Sequence, residues 1–377
     1  MTFTFTEEQE ELRRTVRRFL EHTSPPSQAR RLMETAEGYD PGVWTRMATE
    51  VGLQGLTIPE EYGGAGFGPV ERLMVLEEMG RVLLCAPYLS SAVLAVDALR
   101  ASGDEAALRA LLPGIADGST IATLAVSEEG GGWTADGLRA RARRSRDAYL
   151  LDGQKSFVLD GAIANLILVV AQADGGPTLF AIDGRAAGLA RRALLTLDMT
   201  RKLAALNFDR VPARLVGTEG AAADILDRTT QLAIVALAAE QVGGAQRCLD
   251  MSVDYAKLRV QFGRPIGSFQ AIKHKCAEML LEVEQARSAA YYAGWAAADG
   301  ASDLPLVASL AKATCSEAYS RVAAENIQIH GGIGFTWEHD AHLYYRRAKS
   351  SEVLLGSPTH HREIVATHLI DAAVGRP

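Results

Sequence analysis

The residues able to do chemistry gather in two short segments of the C-terminal half. The first is Arg259-Val260-Gln261-Phe262-Gly263-Arg264-Pro265-Ile266, closed by Phe269-Gln270. A helix stop and a turn account for its glycine and proline. They do not account for an arginine, two glutamines and two phenylalanines held in one short connection. The second is Gln328-Ile329-His330-Gly331-Gly332-Ile333-Gly334-Phe335. Three glycines directly after a helical run let the backbone approach a ligand closely. Exposed amides there suit a pyrophosphate, with Arg259 supplying charge and Phe262 an aromatic face for an adenine.

Other chemical signals are weak. The chain has no GxGxxG opening a helix after a strand, no P-loop and no GxSxG elbow. Gly130-Gly131-Gly132 follows a strand pattern with no helix behind it and reads as a loop. His339 and His342, and the adjacent His360 and His361, read as solvated helix-surface histidines, because no third ligand stands at a metal spacing. Arg139, Arg141 and Arg143 alternate as the wet face of a strand would. The four cysteines (Cys85, Cys248, Cys276, Cys315) form no CxxC pair and fit a reducing compartment as small buried residues.

Three blocks must position the two segments. Thr6 followed by Gln9 is a capping-box start, and Leu12, Val16, Phe19 and Leu20 follow at helical spacing. That period holds to about Asp117, broken by the turn-rich Ile58-Pro59-Glu60-Glu61-Tyr62-Gly63-Gly64. Thr120 to Val126, Tyr149-Leu150-Leu151, Leu166 to Val170, Thr178 to Ile182 and Leu203 to Phe208 are short strand patterns between turn residues. Their spacing predicts an antiparallel sandwich or barrel without a βαβ rhythm. From Ala223 the helical period returns. Ile225 to Ala256 predicts a helix of about 30 residues, roughly 45–50 Å long, with further helices near Ile272–Val283 and Leu306–Ile327. The expected fold class is α+β, with an N-terminal helical domain (1–118), a central antiparallel β-sandwich or barrel (119–222) and a C-terminal four-helix bundle (223–377).

The chain has 377 residues, enough for two or three domains. A formal charge of −7 gives no nucleic-acid footprint. With 48% hydrophobic and 23% charged residues, disorder, collagen and disulfide scaffolds are excluded. No apolar run approaches the ~18 residues of a membrane span. The N-terminus has neither a basic region nor a cleavage site. A cytoplasmic protein is expected.

Taken together with Gly55-Leu56-Thr57-Ile58-Pro59-Glu60-Glu61-Tyr62-Gly63-Gly64 and Gly153-Gln154-Lys155, the two segments resemble the acyl-CoA dehydrogenases, in order and spacing over the whole chain. The resemblance implies FAD bound between the β domain and the C-terminal helices of a dimer of dimers. It implies that Arg259, Gln261, Phe262, Gly263 and Gln270, then Gln328, Gly331, Gly332 and Gly334, reach the FAD of a neighbouring subunit. It also implies an electron-transfer flavoprotein or similar acceptor.

The reaction of that family needs a carboxylate to remove the α-proton of an acyl-CoA thioester while the flavin takes a hydride from the β-carbon. The family's glutamate, in a Glu-Gly-Thr sequence, corresponds here to Leu355 in Leu354-Leu355-Gly356-Ser357. The alternative base and its following arginine, on the long helix, correspond to Ala233 and Ile234. Glu352 and His360 are the substitutes within sequence reach. The flavin-ring segments differ as well. Ser127-Glu128-Glu129-Gly130-Gly131-Gly132-Trp133 stands for Thr-Glu-Pro-x-Ala-Gly-Ser, and Lys155-Ser156-Phe157-Val158-Leu159 for Lys-x-Trp-Ile-Thr. Residues lent to a neighbour's FAD survive; those serving the chain's own ring and substrate do not. No catalytic residue is assigned to this chain.

The expectation is the silent subunit of a flavin-dependent acyl-CoA dehydrogenase, paired as α2β2 with a homologous catalytic subunit that holds most of the acyl-CoA. Actinobacterial enzymes of that type act on steroid side-chain thioesters. A self-sufficient homotetramer, a related flavin oxygenase, and a flavin-free acyl-CoA-binding scaffold are the alternatives.

Overall fold

A computed structural model describes residues 5–130, 132–145 and 148–373. Eleven α-helices occur among them: α1 (Glu7–Thr23), α2 (Pro26–Met33), α3 (Pro41–Thr49), α4 (Pro69–Arg81), α5 (Val96–Ser102), α6 (Glu105–Ala116), α7 (Ala222–Leu258), α8 (Gln270–Ala298), α9 (Leu304–His330), α10 (Ala341–Val353) and α11 (Pro358–Ala373). The strands are β1 (Ala122–Ala125), β2 (Arg141–Ser145), β3 (Ala148–Leu159), β4 (Leu166–Ala173), β5 (Gly176–Asp183), β6 (Leu189–Ala193), β7 (Leu203–Val216), β8 (Val260–Gln261) and β9 (Arg264–Pro265). The chain divides into two compact units. One holds residues 1–29, 69–84 and 234–377, the other residues 30–68 and 85–233.

The expected start of α1 is present. Gln9 N–H donates to the Thr6 hydroxyl at 3.2 Å, and the Gln9 side chain accepts from Thr6 N–H at 2.9 Å.

In the second unit β1 to β7 form one sheet in the order β1-β4-β2-β3-β7-β5. β4 also pairs with β5, and β6 lies on β7. The pairings β4–β5–β7–β3–β2–β4 close on themselves, as a barrel must. The sheet is not wholly antiparallel as expected. β1 runs parallel to β4, and β2 meets β4 in parallel at Arg141 and Gln172. β1 is buried at every residue and β4 at all but one. Strands covered on both faces lose the hydrophobic alternation and tolerate parallel pairing. On β2, Arg141 and Arg143 are exposed while Ala142 is buried, the expected wet face.

Most of α7 belongs to the first unit. The helix runs 37 residues, about 55 Å at 1.5 Å per residue and longer than its sequence pattern implied. Glycines let it press against α4. A Cβ at Gly243 would fall on the Glu77 carbonyl, and one at Gly80 on the Glu240 carbonyl. Close to this crossing Glu240 and Arg347 form a buried ion pair, and Gln241 Nε2 donates to Ser316 Oγ at 3.0 Å.

All four cysteines are free, and three are buried. Burial raises the Cys315 thiol to about 12, so it behaves as a small apolar residue. Among the described residues no helix is long and apolar enough to cross a membrane.

Candidate functional site

Arg259 directly follows α7. Its N–H donates to Tyr255 O at 2.8 Å, and its own carbonyl accepts from Ile266 N–H at 2.8 Å. Between these bonds β8 and β9 form a minimal hairpin, with Val260 opposite Pro265 and Gln261 opposite Arg264. Its two loop residues, Phe262 and Gly263, have φ of +54° and +75°. A two-residue loop with both φ positive matches the twist of the strands, and Asn-Gly ordinarily fills it. Placing phenylalanine there costs about 1–2 kcal/mol, and the ring gains little within the chain. Phe262 is 92% exposed, and its one ring contact among the described residues is with Phe269, edge-on at 6.0 Å. Arg264 lies 4.2 Å over the Phe269 ring.

The glycine segment follows α9 as a short 3₁₀ turn, Gly331–Phe335. Gly331 has φ +63° and ψ −141°, a conformation essentially closed to other residues. A Cβ on Gly331 or Gly332 would meet nothing within 4 Å, so their surface is open. Gly334 is different: its Cβ would strike His330 and Ile327, so it serves packing within the turn.

Arg259, Gln261, Gln270 and Gln328 are all exposed. Their side chains make no hydrogen bond or ion pair among the described residues. Polar side chains with long reach, a bare aromatic ring and an open glycine turn thus sit at the end of α7, the start of α8 and the end of α9. This combination fits the pyrophosphate and aromatic base of a dinucleotide.

Tyr255 and His330 bring the two segments together. Their rings stack at 4.3 Å and 29°. One turn deeper, Ser252 Oγ donates to Asn326 Oδ1 at 2.9 Å. The sequence reading passed over Tyr255, although it lies one turn ahead of Arg259.

The loop after α10 contains no proton acceptor. Leu355 is 4% exposed and has φ +61°. Its carbonyl bonds His361 Nε2 at 2.9 Å. Since a carbonyl only accepts, Nε2 carries the hydrogen. Burial pushes the His361 imidazole down to about 4 against that bond, with Lys312 adding to the effect. Buried Lys312 donates to the carbonyls of Ser351 (2.9 Å), Glu352 (3.1 Å) and Gly356 (3.1 Å), so the loop is pinned by its backbone.

Glu352 is committed elsewhere. Burial alone would raise its carboxyl, but bonds from Lys349 and Ser320 hold it below the usual range. His360 is exposed. Ala233 and Ile234 are buried apolar residues of α7. The expected solvated histidines divide. His342 and His361 are buried, with backbone carbonyls as partners, because each closes the end of a turn. No group of three or more metal-binding side chains occurs among the described residues.

In the second unit, buried Lys155 donates to Val126 O (2.8 Å) and Glu128 Oε1 (2.9 Å). Glu128 also accepts from Arg139 N–H (2.8 Å) and Ala140 N–H (3.0 Å). Burial alone would raise the Glu128 carboxyl, but these donors hold it below the usual range, and it ties the segment before β2 to β3. It borders a cleft of about 540 Å³ that Glu129, Gly130, Gly132 and Asp136 also line; Gly131 lies outside the described residues. Leu159 is in the core, and Phe157 is 47% exposed at φ +57°.

Three domain models of one family match in sequence: acyl-CoA dehydrogenase N-terminal domain at residues 6–119, middle domain at 123–211 and C-terminal domain at 223–370. The chain belongs to the acyl-CoA dehydrogenase family. It is 37% identical to the acyl-CoA dehydrogenase IpdE2 of Mycolicibacterium smegmatis, over 93% of this chain and 96% of that one. Among solved structures, a point variant of the Tcur3481-Tcur3483 steroid ACAD superposes with a TM-score of 0.87 at 33% identity, covering 98% and 99% of the two chains. The ChsE4-ChsE5 complex from Mycobacterium tuberculosis gives 0.89 at 30%, with the same coverage. Within the acyl-CoA dehydrogenase fold, the positions where the resemblance places a base are thus Leu355 and Ala233, and the position of the accompanying arginine is Ile234; all three are buried.

Proposed function

We propose that this chain is the catalytically silent subunit of a heteromeric flavin-dependent acyl-CoA dehydrogenase, lending an adenine and pyrophosphate clamp to a homologous catalytic partner. One observation carries the reading. Arg259, Gln261, Gln270 and Gln328 are exposed and uncommitted around a strained, bare Phe262 and an open glycine turn, while every base position is apolar. FAD, when bound, supplies the hydride acceptor. This chain's part is to bind: Arg259 against phosphate, Phe262 against the adenine face, and the Gly331 and Gly332 backbone close to the pyrophosphate. The solved neighbours that are named as a steroid ACAD and as a two-component complex support a steroid-thioester substrate class and a paired assembly.

Phe157 favours a second reading, a self-sufficient homotetramer. An exposed aromatic at positive φ in the β unit suits a flavin ring of the chain's own. Flavin absorbance separates the two. On the proposed reading the chain purified alone is colourless and inactive, and flavin appears on co-expression with a catalytic homologue. Stoichiometric flavin and robust acyl-CoA turnover in the lone chain overturn it.

A further inference from the structure

The hairpin and the glycine turn belong to different helices, α7 and α9. Among the described residues no hydrogen bond or ring contact joins residues 260–265 directly to 331–335. A surface that grips one ligand with both segments needs them held in fixed register, because loosely held groups lose much of their binding energy to ordering. We propose that Tyr255 and His330 are positioning residues that lock hairpin and turn into one surface. This proposal rests on the clamp reading above.

The argument is one of placement. Tyr255 is bonded through its carbonyl to Arg259 N–H, so its ring sits at the root of the hairpin. His330 is the last residue of α9, next to Gly331. Their stack at 4.3 Å therefore joins the two roots. His330 is itself held on two sides. Its Nδ1 bonds Asn326 O at 2.8 Å, and its ring meets His339 at 4.4 Å. The Ser252–Asn326 bond is a second rung, three residues back on α7 and four back on α9, which puts both rungs on one face of each helix. The work of the ring pair is spacing.

Hydrogen exchange and flavin content, read on the purified complex of the full chain, test the lock. Tyr255→Leu and His330→Leu remove the ring pair, Tyr255→Phe retains it, and Ser252→Ala removes only the deeper rung. Arg259→Ala removes a direct contact and leaves the lock. The lock predicts that His330→Leu, altered on α9, speeds amide exchange across residues 260–266 on the other helix. Flavin per protein should fall about two- to tenfold, the range of an aromatic pair. Tyr255→Phe should restore both readouts. Faster exchange with unchanged flavin upholds the lock and tells against the clamp reading, as does an inert Arg259→Ala. Unchanged exchange at 260–266 in both leucine variants overturns the lock, as does Tyr255→Phe behaving like Tyr255→Leu.

Discussion

At the scale of single residues, Arg259 and Leu355 have opposite fates. Arg259 is charged, exposed and without a partner among the described residues of its own chain. Charge-assisted bonds to phosphate are worth ~1.5–3 kcal/mol, and each ~1.4 kcal/mol is a factor of ten. Arg259→Ala should therefore lower the flavin-to-protein ratio of the co-purified complex about tenfold or more. Gln328→Ala should act in the same direction more weakly. An unchanged ratio would mean the segment no longer grips a cofactor. Leu355 is buried in a loop held by Lys312 and His361 through backbone carbonyls alone. Leu355→Glu should still give no dehydrogenation by the lone chain, because one carboxylate does not rebuild a ring site. Turnover of an acyl-CoA by that single variant would sink the assignment.

At the scale of elements, two devices have measurable consequences. The α4–α7 crossing has no room for a methyl group at Gly243, since the Glu77 carbonyl occupies the place of a Cβ. Gly243→Ala must push the helices apart, and overpacking of this kind costs about 1–3 kcal/mol; a lower denaturation midpoint at unchanged helix content is expected. The second device is His361. Its folded value near 4 lies below the ordinary 6.5, so folding favours the neutral ring. That contribution is complete above about pH 6.5 and is lost as pH falls toward 4, roughly 2 kcal/mol by pH 5. His361→Gln keeps a donor for Leu355 O and should flatten this part of the acid profile. A stability profile that His361→Gln leaves unaltered between pH 7 and 5 would refute it.

The helices and the turns that close α7 and α9 were legible in the sequence because their signals are local: the capping box at Thr6, the period along α7, a glycine turn after α9. What escaped depends on partners distant in the chain. The parallel β1–β4 pairing joins residues 44 apart in sequence, and the buried states of His342 and His361 depend on how their turns close. Tyr255 drew no reading from the sequence, because its ring partner His330 stands 75 positions later.

For the molecule as a whole, the decisive feature is apolar surface that the first unit leaves bare. Leu258 is 80% exposed, Phe262 92% and Phe335 82%. Val260, Ile333, Trp337, Val353, Leu369 and Ile370 are exposed too. Scattered exposed apolar residues are ordinary, and Leu280, Leu281 and Leu310 are further cases on α8 and α9; those in the hairpin, in the glycine turn and on α11 stand in groups, the kind of surface that marks an interface. Burying each such side chain is worth about 1.5–3 kcal/mol, so leaving many of them wet drives association. Leu258, Val260 and Phe262 lie within three residues of the uncommitted Arg259 along the chain, so on the proposed reading a surface that covers them also receives the clamp. The chain alone should run as indefinite aggregates or be poorly soluble. Co-expressed with the right homologue it should give a closed assembly near four times its own 40.4 kDa, the size of a dimer of dimers. The measurement is light scattering on the size-exclusion peak, with and without the homologue. Charged substitutions at Phe335 or Leu258 should shift the complex toward smaller species and release flavin with it, because interface and clamp share residues. A lone chain that runs as a well-behaved monomer of 40.4 kDa would break the link between bare surface and borrowed cofactor on which the subunit reading depends.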